Sequence, residues 1–95
     1  MPIPFDQALH NLEEAAKEYQ EAKINADSLR AKAKEVEKKF WKLEPNDPSA
    51  AALRIDLMRA EKEDDDARDV LRRASDKLNK ALGDFYAALN SLIFQ

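Results

Sequence analysis

Apolar residues recur at alternating spacings of three and four through two long stretches of this chain. In the first stretch, position a of a seven-residue repeat holds Phe5, Leu12, Tyr19, Ala26, Ala33 and Phe40. Position d holds Ala8, Ala15, Ala22, Leu29, Val36 and Leu43. In the second stretch, a holds Ala50, Leu57, Asp64, Leu71, Leu78, Phe85 and Leu92, and d holds Leu53, Ala60, Ala67, Ala74, Ala81 and Ala88. Only Asp64 interrupts the stripe. A period of 3.5 residues held this long predicts helices that clasp along one edge in a left-handed pair.

One strong breaker separates the stretches, Pro45-Asn46-Asp47-Pro48. Pro45 disfavours helix at Glu44, Asp47 is a good N-cap, and Pro48 suits a first helical position that needs no amide. The pattern therefore predicts a single all-α domain over 1–95: helix 1 over 5–43, a turn over 44–48 and helix 2 over 49–93. Each helix is about 60 Å long at 1.5 Å per residue. The expected fold is an antiparallel two-helix coiled-coil hairpin that dimerises into a four-helix bundle. Folding about Asn46 and Asp47 makes facing residue numbers sum to about 93, which sets Phe5 over Ala88, Leu12 over Ala81 and Ala22 over Leu71. Large opposite small is how such layers interdigitate. Gly83 costs about 1 kcal/mol relative to Ala inside a helix. The stripe keeps its phase through it, so helix 2 reads as continuous.

A seam half made of alanine leaves apolar side chains uncovered. They thicken towards the C-terminus, which the hairpin brings beside the N-terminus. The open end is thus expected to display one apolar surface, formed by Ile3, Leu9, Leu82, Phe85, Tyr86, Leu89, Leu92, Ile93 and Phe94. Such surfaces mark protein–protein sites. The expected partner is another protein, with a second copy of the chain preferred.

Composition narrows the function. Cysteine is absent and histidine occurs once, so thiolate and His-cluster metal sites are excluded. No phosphate-cradling glycine loop is present, and no catalytic, cofactor or metal site is expected. His10 reads as a surface residue, and Ser28, Ser75 and Ser91 lack a base within reach. The chain therefore reads as no enzyme. The net charge is −3, and neither half is a basic arm, so nucleic-acid binding is not expected. No apolar run reaches spanning length and the start lacks a signal-peptide layout, so a cytoplasmic location is expected, with signal-less export left open. Trp41 is expected to close the hairpin tip beside Phe40.

An acidic run, Glu61-Lys62-Glu63-Asp64-Asp65-Asp66 followed by Asp69, offers an alternative. On that reading Glu63, Asp65, Asp66 and Asp69 form the docking face of an acidic-surface inhibitor or nucleic-acid mimic. The simpler expectation is a solvated helix face braced by Asp64 with Arg68 and Asp69 with Arg73.

The segment Pro45-Asn46-Asp47-Pro48-Ser49-Ala50-Ala51-Ala52-Leu53 resembles the turn of type III secretion needle subunits, whose Pro-X-Asp-Pro turn also joins two helices. That resemblance implies a small secretion-system hairpin subunit. It covers nine residues, and the tyrosine-and-asparagine segment of those subunits is missing. A hairpin of this size with an aromatic near its turn is also similar to the small WXG-type secreted dimers, but Trp41 is followed by Lys42 and Leu43 where they carry Trp-X-Gly.

Overall fold

The computed structural model describes residues 3–94 and contains two helices, α1 (Phe5–Trp41) and α2 (Ala50–Ile93), with no strand among the described residues. The helices lie side by side and run antiparallel. Glu18 of α1 pairs with Lys77 of α2, Lys32 with Glu63, and the rings of Phe5 and Phe85 meet at 5.4 Å. The result is a rod of 74 × 17 × 14 Å. Its radius of gyration is 20.9 Å, against about 12 Å for a compact domain of this length.

The seam follows the heptad stripe. Every a and d residue from Phe5 to Ala88 is buried or half-buried, including Asp64. Among the described residues, the buried apolar side chains are all alanines: Ala8, Ala15, Ala26 and Ala33 on α1, and Ala60, Ala67, Ala74, Ala81 and Ala88 on α2. The large seam residues, such as Leu12, Tyr19, Leu71, Leu78 and Phe85, are only half covered. Leu92, which keeps the a phase, is exposed because α1 begins at Phe5 and leaves no helix opposite it.

Pro4, with φ −55° and ψ 145°, enters α1 in an extended conformation, and its carbonyl accepts from the Ala8 amide at 2.9 Å. Asp6 in the first turn and Lys38 and Lys39 in the last complement the helix dipole. α1 stops at Trp41, two residues short of the expected Leu43. The physical reason is a tightened last turn: the Leu43 amide donates three residues back to Phe40 (3.2 Å), which steers the chain out of the helix before Pro45 constrains Glu44.

α2 starts at Ala50 rather than at 48 or 49, so the N-cap is Ser49 and not Asp47. Asp47 acts one turn earlier. Its Oδ1 accepts from the Ser49 amide at 2.8 Å and from the Ser49 hydroxyl at 2.6 Å, while its carbonyl accepts from the Ala50 amide. This Asx-type bond orders the Pro48-Ser49 entry into the helix. The Ser49 hydroxyl, and then the Ser49 amide, hold the Asp47 carboxyl below its ordinary value of 3.8.

Two expectations follow. An Ala side chain at Gly83 meets nothing within 4 Å, and α2 is continuous there. Gly83→Ala is expected to raise stability by about 1 kcal/mol in urea denaturation, since Ala is the better helix former and space is free. A carboxylate with a depressed folded-state pKa stabilises above its ordinary value and loses that contribution as pH falls through the depressed one. Asp47→Ala is therefore expected to melt below the parent at neutral pH, with the gap closing on acidification below 3.8. Thermal melts followed by circular dichroism across that range provide the check.

Candidate functional site

The two flanks of the seam differ in chemistry. Positions g form one flank and positions e, with the neighbouring b positions, form the other. The g flank is closed by the two interhelical ion pairs. Lys77 Nζ donates to both carboxylate oxygens of Glu18 at 2.9 Å, and Lys32 approaches Glu63 at 3.8 Å. Near the open end the e flank carries Leu9 on α1 and Leu82 and Leu89 on α2, all half-buried, where the g flank carries Asn11, Asp84 and Ser91. Further along, its e positions are mostly charged.

The sequence-derived surface residues fall into three groups. Ile3, Leu9, Leu82 and Leu89 are half-buried and form the shoulders of the seam. Phe85 belongs to the seam itself, tilted against Phe5 at 5.4 Å and edge-on to Tyr86 at 6.0 Å. Tyr86, Leu92, Ile93 and Phe94 are exposed, Phe94 to 84%. α2 runs past the first turn of α1, so its last turn, beyond Ala88, extends the seam with no α1 residue opposite. This overhang brings large apolar side chains together in water.

Glu63, Asp65, Asp66 and Asp69 take adjoining positions on the outer side of α2, away from the seam. Glu63 faces Lys32, Asp65 lies 3.4 Å from Arg68, and Asp69 lies 3.6 Å from Arg72. The Asp69 partner is therefore Arg72, one residue short of the expected Arg73. His10, exposed, sits 3.2 Å from Glu14. Among the described residues, no group of three or more His, Asp or Glu is placed to hold a metal ion, and no helix is long and apolar enough to cross a membrane.

One feature escaped the sequence pattern. Trp41 does not close the hairpin tip. It is 73% exposed, edge-on to Phe40, and lines a cleft of about 490 Å³ with Lys34, Glu37, Lys38 and Lys42. A b position flanking an e position was the available signal. Asp64 lies where the heptad phase puts it, 6% exposed in the seam. Its Oδ2 accepts from Arg68 at 2.6 Å, while Oδ1 is buried without a partner. The side chain borders an e-flank cleft of about 320 Å³ shared with Arg30, Lys34, Glu61 and Arg68.

No family model, curated protein or solved structure matches the chain.

Asp64 is a net cost to the hairpin, because a buried carboxylate oxygen without a donor forfeits its hydration. The small residues around it, Ala26, Ala33, Ala60 and Ala67, leave room for a larger apolar group. Asp64→Leu is expected to raise the unfolding free energy by about 1–3 kcal/mol, read from urea denaturation. An unchanged or lower midpoint would mean that the carboxylate is adequately hydrated where it stands.

Proposed function

We propose that this hairpin is a non-catalytic protein–protein interaction module, of the adaptor, chaperone, inhibitor or assembly-subunit kind, that acts through the apolar surface at its open end. The observation that carries this reading is the overhang. Leu92 stands exposed in phase with the seam, Tyr86, Leu89 and Ile93 continue the apolar face at the adjoining b and e positions, and exposed Phe94 follows at the helix end. An uncovered apolar stripe in helical phase fits the groove or face of another helix, the arrangement by which amphipathic helices are recognised. Association of two hairpins into a four-helix bundle meets this need.

The acidic-surface alternative has less support. Its four carboxylates share the outer side of α2, but Glu63, Asp65 and Asp69 each have a cation at ion-pair distance. A strong mimic of nucleic acid presents aligned, unneutralised charge.

A charge placed on the surface tests the reading. Leu89→Glu and Ile93→Glu are expected to abolish association in sedimentation velocity while helix content, read by far-ultraviolet circular dichroism, stays close to that of the parent. Loss of helix in both variants would assign these residues to the fold instead.

A further inference from the structure

The open end is not the only place where this side of the rod exposes apolar side chains. At the turn end Trp41 stands exposed at a b position of α1 among Lys34, Glu37, Lys38 and Lys42, and Met58 is exposed at a b position of α2. The flank therefore has an apolar patch at the open end and a smaller one, set among charges, around Trp41 at the turn end. The g flank has its Glu18–Lys77 and Lys32–Glu63 pairs instead.

Charge is distributed along the rod with a polarity that the net value hides. Residues 30–63, which build the turn end, hold nine Lys or Arg and seven Asp or Glu, a net of +2. The remainder holds seven and twelve, a net of −5. The e flank repeats the polarity. Its turn end presents Arg30, Lys34 and Arg54 against Glu37 and Glu61, and its open end, beyond a mixed middle that includes Lys23 and Arg68, presents Asp6 and Glu13.

We propose that the occupant of this flank is a second copy of the chain laid antiparallel, so that the turn end of each copy covers the open end of the other. This rests on the reading of the apolar surface as a docking site and specifies its partner and orientation. The two-fold arrangement uses both patches twice. Trp41 and its surrounding lysines meet the overhang of α2 beside Asp6 and Glu13, and the reciprocal contact repeats at the far end. A parallel arrangement sets the cationic turn ends against each other and the acidic ends likewise, which like-charge repulsion disfavours. Size permits the pairing. Even the narrower side of the rod, 74 by 14 Å, offers about 1,000 Å², against about 800 Å² per partner in a standard stable interface.

The absence of cysteine makes the orientation measurable. Asn46→Cys marks the turn end and Asn90→Cys the open end, both at exposed positions outside the proposed contact. Each is nitroxide-labelled, and distances between copies are read by dipolar spectroscopy, with circular dichroism confirming the helix content of each variant. The expected result is a long distance, above roughly 45 Å on the helical rise, in each unmixed sample, and a new short distance only when the two labelled variants are mixed. Short distances in both unmixed samples would show parallel pairing; that overturns the orientation and leaves the apolar docking site standing. No distance between copies at roughly 100 µM, a concentration that populates any complex with a micromolar dissociation constant, overturns the second copy as occupant. In that case the same surface is tested against other proteins, and Leu89→Glu decides whether it docks anything. Sedimentation coefficients that keep climbing with concentration would indicate open end-to-end chains and overturn the closed pair.

Discussion

A seam between only two helices can close completely over its smallest members alone. Two cylinders touch along a line. A residue on that line is shielded from both sides only if its side chain ends before the helix surfaces diverge, and alanine does. The buried apolar residues of this hairpin are accordingly alanines from end to end. Leucines, phenylalanines and a tyrosine at equivalent positions cover the alanines opposite and keep one side in water. Apolar burial stabilises by roughly 25 cal/mol per Å², and a half-covered leucine realises only part of the about 1.5–3 kcal/mol that full burial provides. The rest of the structure depends on this shortfall. It leaves the molecule with a surplus of large apolar surface along its length, and what lies beside the seam decides how that surplus is used.

The two flanks respond differently. On the g side, ion pairs bridge the helices at Glu18–Lys77 and Lys32–Glu63. Exposed pairs of this kind are worth little as stability, typically about 0–1 kcal/mol. Their effect is to set register and to make that flank unattractive to another apolar surface. On the e side, charged side chains line the middle, around Arg30, Glu61 and Arg68, and the open end is apolar. Asp64 lies between the two regimes. It occupies a seam position in its middle, where small neighbours leave the helices least interlocked, and Arg68 of its own helix satisfies only one of its oxygens. Stability is lost there rather than gained, and the apolar open end of the rod is left to compensate.

The heptad phase was legible because it depends on side-chain size and polarity alone, and those are written directly in the chain. The phase placed each seam residue from Phe5 to Ala88, the continuity of α2 through Gly83, and Asp64 within the seam. The details that differ depend on local backbone geometry, which size patterns do not encode. A tightened last turn ended α1 at Trp41. Asp47 used its side chain one turn before the helix and left Ser49 as the cap. Asp69 selected Arg72 over Arg73, both on the same side of the helix. Trp41 was misread for a different reason: its neighbour Phe40 supplies the seam contact at the tip, so a second aromatic is surplus there and turns outward. The polarity of charge along the rod was hidden because counting in two halves of the sequence averages over the fold. The hairpin joins the end of one half to the start of the other, and only residues grouped by height along the rod show it.

The overhang of α2 makes the shortfall most acute. Elsewhere along the seam, a large apolar side chain has a residue of the other helix opposite it and is at least half covered. Beyond Ala88 the stripe continues in phase through Leu92, but α1 has not yet begun. A helix laid against this heptad adds a layer to an existing seam, so its side chains enter a groove whose far wall is already ordered. The entropy of holding α2 straight has been spent in forming the hairpin. An incoming helix orders only itself, so each Å² it covers here yields more net stabilisation than the same area on a frayed terminus would.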